Sequence, residues 1–339
     1  MKTLLLKPNK KSIALACKLL KQGEVVGVPT ETVYGLAGDS SNPLAIRKIF
    51  EAKGRPSDNP LIVHISNMKM LKNIVSKMPD DAKKLAKVFW PGPLTMVMPK
   101  GEGVCSESSA GLDSVGVRMP SNPVAREIIE QSGIPFSAPS ANLSGKPSPT
   151  NAQDVLADMN GKIPLIIDDG SSNAGVESTV VSLLDDTPII LRPGIITKED
   201  LEEVLQKPVL IAKEVTEGAK DNSTVLSPGM KYKHYSPTAE VTIIKGNFEN
   251  FKNFVLSHNG DGVFALCFDG EEKLLPTKSL SFGKQNDGLS QAHNLFTALR
   301  QLDKLGAKTV YARCPESTGV SLAVYNRLIR SAGFKIIEV

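Results

Sequence analysis

The sequence predicts an α/β protein of two domains, a larger one followed by a smaller one. Its 339 residues exceed one ordinary domain of roughly 100–200 residues and leave enough chain for a core in each of two. Short strand-like apolar runs alternate with segments of helical periodicity through residues 1–206 and again through 238–339. Between them, at 207–237, the periodicity lapses into a mostly polar stretch, so we predict an interdomain linker there.

The first elements follow from apolar spacing and capping signals. The short apolar patch at 4–6 is followed by lysines, so it is expected to be an edge strand and not a secretory signal. Residues 12–22 carry apolar side chains at helical spacing that ends at Gly23. Asn42-Pro43 then supplies an N-cap and a first-turn proline for a second helix, which Gly54 follows.

The rest of the first half continues this alternation. Capping boxes that begin at Thr150 and Thr197 are expected to open two later helices. The other predicted segments are strands at 25–28, 61–65, 94–98, 116–119, 165–168, 178–184 and 189–191, and helices at 68–75, 80–89 and 122–132.

The second unit repeats the alternation on a smaller scale. Its strands are predicted at 241–244, 263–268, 309–312 and 335–338, and its helices at 247–257, 290–304 and 320–331. Strands that alternate with helices predict a small parallel sheet covered on both faces. The glycine fingerprint of a dinucleotide site is absent from this unit, so no bound dinucleotide is expected.

Composition excludes several classes of protein. No apolar run approaches the ~18 residues of a membrane span, and the four cysteines form no C-x-x-C pair, so neither a disulfide framework nor a zinc ribbon is expected. The default compartment is therefore a reducing cytoplasm. The net charge of +4 is spread along the chain and aromatic residues make up 5%, which argues against a nucleic-acid surface.

The missing motifs narrow the chemistry further. The sequence contains no G-x-x-x-x-G-K-[ST], no G-x-S-x-G and no H-E-x-x-H, which excludes a P-loop, a nucleophile elbow and a zincin helix. Its four histidines have no metal-ligand spacing and stand at positions His64, His234, His258 and His293. We therefore expect no protein metal site and no histidine-based nucleophile triad.

The first of three polar loops is Pro-Thr-Glu-Thr-Val-Tyr-Gly-Leu-Ala at 29–37, directly after a predicted strand. Ligands of open α/β sheets bind beyond strand ends. Two threonines and a glutamate at such a turn would suit hydrogen bonding to a small polar substrate. A turn in which these side chains only cap their own backbone is the alternative.

The second loop begins at Lys53 and ends at His64 on the next predicted strand. Arg55 offers a bidentate fork and Lys53 a point charge, so the two would converge on one anion. Cations in a last helical turn also suit the helix dipole, which is the alternative explanation. Asn59, which lies between the two prolines, and His64 favour a ligand site.

The third loop, at 137–149, contains small hydroxyl residues, an asparagine, a glycine and three prolines. Proline stiffens the backbone, and small side chains let a ligand approach it. The loop would therefore suit a nucleotide or phosphate cradle that is not a P-loop. A merely stiff loop explains the composition equally.

Several cations stand at predicted strand ends. Arg118 and Arg192 each lie at the end of a predicted strand and before a proline, where an outward surface arginine would be unremarkable. Taken with Lys53, Arg55 and His64, they form a set that would neutralise a polyanionic substrate such as ATP.

These segments resemble the longer form of the YrdC-like family, the L-threonylcarbamoyladenylate synthases with a C-terminal domain. The matching strings are Pro-Thr-Glu-Thr-Val-Tyr-Gly-Leu, Lys-Gly-Arg-Pro-Ser-Asp-Asn-Pro-Leu, Ser-Ala-Pro-Ser-Ala-Asn-Leu-Ser-Gly and Leu-Arg-Pro-Gly. The string Ser-Pro-Gly-Met-Lys-Tyr-Lys-His-Tyr-Ser-Pro resembles the linker of the longer form. Together the strings and the α/β tail extend the resemblance across the chain.

The resemblance implies an α/β architecture in three parts. Residues 1–206 would form a YrdC-like catalytic domain, a twisted open sheet with flanking helices. Residues 238–339 would form a smaller Rossmann-like parallel α/β domain. Residues 207–237 would be a linker that also acts as a lid over the site, with Lys231 and Lys233 near the triphosphate.

The resemblance also implies a reaction in which L-threonine, bicarbonate and ATP give threonylcarbamoyl-AMP and pyrophosphate. The product serves the N6-threonylcarbamoyladenosine modification of tRNA, so a downstream tRNA threonylcarbamoyl-transferase would be the partner. Mg²⁺ is expected with ATP, held by phosphates and water. Such chemistry needs positioning and fixed charge, and no covalent nucleophile.

Site residues are carried over by position. Catalytic roles would fall to Lys53, Arg55 and His64. Threonine or its carbamate would contact Thr32, His64, Arg118, Ala138 and Ser178. ATP would contact Lys53, Arg55, Asn59, Ser114, Ser140, Asn142, Ser148, Arg192 and, from the linker, Tyr235.

Two other readings of the chain stay open at this point. One is an RNA-binding module of the same shape, which the dispersed charge and scarce aromatic residues disfavour. The other is a carbamoyl-transferring relative of the hydrogenase-maturation type. Such chains carry zinc-finger motifs, and no C-x-x-C exists in this sequence.

Overall fold

The computed structural model describes residues 2–57, 59–217 and 234–339. Within that part of the chain, residues 4–211 form a mixed eleven-stranded sheet ordered β1-β8-β2-β3-β7-β4-β6-β5-β9-β10-β11. Its strands are β1 (Leu4–Leu6), β2 (Val26–Val28), β3 (Gly35–Asp39), β4 (Ile62–His64), β5 (Leu94–Pro99), β6 (Ser114–Arg118), β7 (Phe136–Ser137), β8 (Leu165–Ile167), β9 (Thr179–Ser182), β10 (Ile189–Arg192) and β11 (Leu210–Ile211). β1 lies at one edge, as predicted.

Helices flank this sheet. They are α1 (Lys10–Lys21), α2 (Pro43–Lys53), α3 (Leu71–Ile74), α4 (Asp80–Phe89), α5 (Ser106–Ser109), α6 (Pro123–Ser132), α7 (Ala152–Met159), α8 (Lys198–Leu205) and α9 (Glu214–Glu217). The predicted start of α2 is confirmed, because the Asn42 side chain accepts from the N–H groups of Leu44 and Ala45. Gly54 ends the helix in the left-handed conformation that glycine adopts without strain.

The second unit contains a five-stranded sheet ordered β14-β13-β15-β12-β16. Its elements are β12 (Glu240–Lys245), α10 (Phe248–Ser257), β13 (Val263–Cys267), β14 (Lys278–Ser281), α11 (Gly288–Lys304), β15 (Thr309–Arg313), α12 (Ser321–Ser331) and β16 (Ile336–Glu338). All of its pairings are parallel, which confirms the prediction. The sequence analysis missed β14, because Lys-Ser-Leu-Ser offers too few apolar residues for a strand signal.

The two units contact each other through α11. The Lys304 ammonium lies 2.9 Å from the Asp154 carboxylate, and His293 Nδ1 lies 2.9 Å from the carbonyl oxygen of Asn173. At Gly175 an added Cβ would lie 2.4 Å from the Ala292 carbonyl oxygen, so only glycine permits this approach. No helix in the described part of the chain is long and apolar enough to cross a membrane.

Two local predictions were wrong. The segment 29–37 is not a loop throughout, since Gly35 begins β3, which pairs antiparallel with β2. The capping box predicted at Thr150 is absent, because the N-cap of α7 is the next residue, Asn151. Its side chain accepts from the Asp154 N–H at 2.9 Å, and asparagine caps at least as well as threonine.

We expect Asn151→Ala to destabilise the protein by about 1 kcal/mol, because the N–H of Asp154 loses its acceptor. The measurement is the shift of the urea midpoint. Gln153→Ala is the matched control on the same turn, since Gln153 is exposed and alanine is a better helix former. A loss for Gln153→Ala as large as that for Asn151→Ala would contradict the assignment.

Candidate active site

One cavity collects most of the predicted site residues. It lies where several strand ends and loops of the large sheet meet, and it encloses about 740 Å³ of empty space, including the open solvent at its mouth. The predicted residues that line it are Thr32, Lys53, Arg55, His64, Arg118, Ala138, Ser140, Asn142, Ser178, Arg192 and Tyr235. Strand ends therefore form the site, as expected for an open α/β sheet.

Strand register places His64 and Arg118 side by side. β4 and β6 are parallel, and the two residues are direct partners at the carboxyl ends of these strands. Arg118 is buried, and its Nη1 donates to the Thr32 hydroxyl at 2.8 Å while its Nε donates to the Gly92 carbonyl oxygen at 3.2 Å. The guanidinium is thus held in one orientation at the cavity wall.

Glu31, the glutamate of the first polar loop, is a partner of Arg118 that was not among the site residues carried over from the family. Its Oε1 lies 2.7 Å from Arg118 Nη2 and accepts from the Ser121 N–H at 3.0 Å. Burial raises the pKa of the Glu31 carboxyl, but the Arg118 guanidinium and the Ser121 N–H outweigh burial and hold the pKa below its usual value. Glu31 is therefore an anion that neutralises part of the Arg118 charge.

His64 is neutral in this site. Burial, reinforced by the Arg118 charge, lowers the pKa of His64 to about 3. The Nδ1 atom lies 3.0 Å from the Ile62 carbonyl oxygen, which can only accept, so Nδ1 carries the proton and Nε2 keeps its lone pair. The ring stacks on Phe136 with centroids 5.6 Å apart. His64 can therefore accept a hydrogen bond through Nε2.

This pKa predicts a pH dependence of stability. The unfolded chain binds a proton at His64 below about pH 6.5, whereas the folded chain does so only below about 3. Stability therefore falls as the pH falls through this window, by up to about 1.4 kcal/mol per pH unit for this group. His64→Asn, which keeps a donor for Ile62, should flatten the dependence of the urea midpoint between about pH 6.5 and 5.

His258→Asn is the control for this experiment, because His258 is exposed. Its pH dependence should match that of the unsubstituted protein. If His64→Asn also matched the unsubstituted protein, the buried neutral state of His64 would be disproved.

Ser178 and Arg192 form a second part of the wall. The Ser178 hydroxyl lies 2.8 Å from the Thr95 hydroxyl, and Arg192 Nη2 donates to it at 3.1 Å. Arg192 Nε also donates to the Ser178 carbonyl oxygen at 3.1 Å. Arg192 is the last residue of β10. This strand pairs with β9, which begins at the residue after Ser178. The arginine is thus fixed against the segment that precedes β9.

Lys53 occupies a cradle of carbonyl oxygens in the third polar loop. Its Nζ contacts the carbonyl oxygen of Ser140 and lies 2.8 Å from that of Asn142. Burial and the nearby Arg55 charge lower the pKa of Lys53 well below its usual value. A bound triphosphate would raise this pKa again, because an opposite charge favours the ammonium form. The same amino group therefore contacts the third polar loop and is placed to bind an anion in the cavity.

Two family models match the chain. One, described as telomere recombination, matches residues 18–194, and the other, described as the threonylcarbamoyl-AMP synthase C-terminal domain, matches residues 196–333. The chain belongs to the threonylcarbamoyl-AMP synthase family. The Bacillus subtilis threonylcarbamoyl-AMP synthase is 44% identical over 337 residues, which cover 98% of this chain and 96% of that protein. The Pyrococcus abyssi threonylcarbamoyl-AMP synthase is 41% identical over 337 residues, which cover 96% of this chain and 96% of that protein.

A solved structure supports the same conclusion. The crystal structure of P. abyssi Sua5 complexed with L-threonine matches with a TM-score of 0.92 and 39% identity, covering 99% of this chain and 100% of that one. The two-domain α/β architecture implied by the resemblance is therefore confirmed. As a threonylcarbamoyl-AMP synthase, the chain is an enzyme that makes threonylcarbamoyl-AMP for tRNA modification.

Three residues expected to contact ATP do not line the synthase cavity. Ser114 begins β6 and pairs with Pro99. Ser148 is buried and donates to Glu177 Oε1 at 2.5 Å. Asn59 is buried, and its side-chain amide makes no hydrogen bond with the described residues, although its carbonyl oxygen accepts from Arg55 at 3.3 Å. Their direct contact with ATP stays a prediction.

The structure describes only part of the predicted linker, residues 207–217 and 234–237. Leu210–Ile211 forms β11 beside β10, so the first residues of the predicted linker extend the large sheet. Lys231 and Lys233 lie outside the described residues. His234 and Tyr235 line the cavity, and the Tyr235 ring packs against Phe296 of the second unit with centroids 5.2 Å apart.

Proposed function

We propose that this cavity binds L-threonine and ATP together and is the site of threonylcarbamoyl-AMP synthesis. The observation that carries the proposal is that a single cavity is lined both by Arg118 with Thr32 and by the cations Lys53, Arg55 and Arg192. The first group suits an amino-acid carboxylate and hydroxyl, and the second suits a triphosphate. A relative of the same two-domain form is known in complex with L-threonine.

The Arg118 guanidinium is the proposed partner of the threonine carboxylate. Thr32 and His64 border it, and the lone pair on His64 Nε2 can accept from the threonine hydroxyl or amine. Because His64 stays neutral, it adds no positive charge that would hold the amine away. Ser178 and Ala138, which also line the cavity, complete the proposed threonine surface.

Lys53, Arg55 and Arg192 are the proposed partners of ATP, with Ser140 and Asn142 in the loop beside them. The threonine amine combines with CO₂ from bicarbonate to give a carbamate and releases a proton. A carbamate oxygen then forms a bond to the α-phosphorus, and the bond from that phosphorus to pyrophosphate breaks. The cations hold the triphosphate in line and balance the charge that the leaving pyrophosphate takes up.

Mg²⁺ is proposed to enter with ATP. Glu177 is the carboxylate among the described lining residues, and it is bonded to Ser148 and Arg327. Phosphate oxygens and water therefore fit the ion better than this chain does, and we assign no step to it. We further propose a cytoplasmic enzyme that passes its adenylate to a tRNA threonylcarbamoyl-transferase, with Tyr235 helping to exclude water from the cavity.

The decisive test is release of pyrophosphate from ATP in bicarbonate buffer with and without L-threonine, combined with mass detection of threonylcarbamoyl-AMP. We expect release that depends on threonine. Equal release when carbamoyl phosphate replaces threonine would favour a carbamoyl-transferring enzyme instead. No release under either condition would refute the proposed reaction.

A further inference from the structure

The interface between the two units contains a fully buried arginine. Arg327, on α12 of the second unit, is 0% exposed, and its Nε donates to Glu177 Oε2 at 3.0 Å. Its Nη2 donates to the Glu177 carbonyl oxygen at 3.3 Å, and its Nη1 donates to the Pro193 carbonyl oxygen at 2.5 Å. A buried charge with a partner on every nitrogen is held in a single arrangement.

The partners of Arg327 adjoin the proposed ATP surface. Glu177 lines the cavity and precedes Ser178, while Pro193 follows Arg192. Ser178 and Arg192 are themselves bonded to each other. Arg327 therefore connects the two backbone segments that carry Ser178 and Arg192.

Two further contacts extend the same network. The second carboxylate oxygen of Glu177 accepts from Ser148 in the third polar loop. The Arg327 guanidinium also lies over the Tyr235 ring, 5.9 Å from its centroid. Glu177 is an anion in a cavity that the proposed function assigns to ATP, and Arg327 neutralises it. Without that pairing, Glu177 would repel the triphosphate.

We propose that Arg327 is a positioning residue for the ATP end of the site, so that the second unit completes the catalytic surface of the first. It acts through Glu177 and the Pro193 backbone on Arg192, whose guanidinium is held by Ser178. The proposal rests on the proposed function and adds a role for the C-terminal domain in the same reaction. It gives that domain an indirect part in ATP binding, through residues of the first unit.

Steady-state kinetics of the full chain test this role. Arg327→Met should lower kcat/KM for ATP by about 10- to 100-fold, the loss typical when a group that orients a binding side chain is removed. The KM for threonine should change much less, because Arg118, the proposed partner of the threonine carboxylate, is held by Thr32 and Gly92 and not by Arg327. Arg327→Lys keeps the positive charge but not the planar guanidinium with its several donors, so its decrease in kcat/KM for ATP should be intermediate.

The matched control is Lys304→Met, which removes another ion pair between the units, where the lysine side chain is 65% exposed. It should leave kcat and both KM values unchanged. Arg327→Met/Glu177→Gln leaves neither member of this ion pair as a buried charge without its partner, so it tests the proposal even if Arg327→Met does not fold. If Arg327 acts through Glu177, adding Arg327→Met to Glu177→Gln should lower kcat/KM for ATP by much less than about 10-fold, a comparison that needs no folded Arg327→Met.

Two results would overturn the proposal. One is a folded Arg327→Met or Arg327→Lys protein with unchanged KM for ATP. The other is an equal loss in Arg327→Met and Lys304→Met, which would show a general loosening of the interface. Failure of the proposed function looks different, since the unsubstituted protein would then release no threonine-dependent pyrophosphate, while calorimetric titration with ATP would still report on Arg327.

Discussion

Lys53→Met should lower kcat by about 10²–10³-fold and raise the KM for ATP. Removing one preorganised donor from a developing anionic charge typically costs this much. Lys53 is buried at the end of α2, and Arg55 follows two residues later in the same cavity. The amino group is held between carbonyl oxygens of the third polar loop, so it is in place before ATP arrives, and a bound triphosphate then favours its ammonium form.

Lys48→Met on the same helix is the control. Lys48 pairs with Glu24 at 2.6 Å in a half-exposed position, and such pairs contribute at most about 1 kcal/mol. The measurements are initial rates of pyrophosphate release over a range of ATP concentrations, together with thermal unfolding of both variants. If folded Lys53→Met kept the full kcat, Lys53 would have no part in the reaction.

Apolar spacing and capping signals predicted most of the described elements. They predicted α2 well because Asn42, Pro43 and Gly54 each act within one turn of the helix. Elements with few apolar residues were missed, such as β14. Those residues form a strand only because a neighbouring strand, β13, is in place to pair with them. Pairing between distant segments is not visible in local sequence.

The site was predictable where strand ends define it. His64 and Arg118 each end a strand, and parallel register then places them together. The direction of a side chain within a loop was not predictable in the same way. Ser148 belongs to the third polar loop, yet its hydroxyl donates to Glu177 and the residue does not line the cavity. Motifs identify residues, but local hydrogen bonding decides where they point.

Residues that act across the domain interface were beyond the reach of the sequence analysis. Arg327 lies on a helix that was predicted from its apolar spacing, where an arginine is ordinarily a surface residue. Its partner Glu177 is 150 positions away. Glu177 had one local signal, since it immediately precedes Ser178, the residue before the buried strand β9. Only the packing of the two units shows that both charges are buried.

Arg118→Met should raise the KM for threonine by about 100-fold while changing the KM for ATP little. Truncating one partner of a buried, hydrogen-bonded charge pair costs about 2–5 kcal/mol, and about 2.8 kcal/mol corresponds to this factor. The guanidinium already contacts Thr32, Gly92 and Glu31, so it need not reorganise when a carboxylate binds.

This substitution also leaves Glu31 without its cation, which calls for a second variant. Arg118→Met/Glu31→Gln removes both charges, so a shared loss of threonine affinity in the single and double variants would identify the guanidinium as the cause. Arg47→Met, which breaks the exposed pair between Arg47 and Glu107, is the control for charge alone. It should leave both KM values unchanged.

Threoninamide tests whether Arg118 binds the carboxylate of threonine. It keeps the amine and hydroxyl of threonine but lacks the carboxylate, so the unsubstituted enzyme should use it poorly. Arg118→Met should then use threonine and threoninamide almost equally, because the interaction that distinguishes them is gone. If Arg118→Met still preferred threonine about 100-fold, the carboxylate would bind elsewhere in the cavity. Arg192, held 3.1 Å from the Ser178 hydroxyl, would be the next candidate to test.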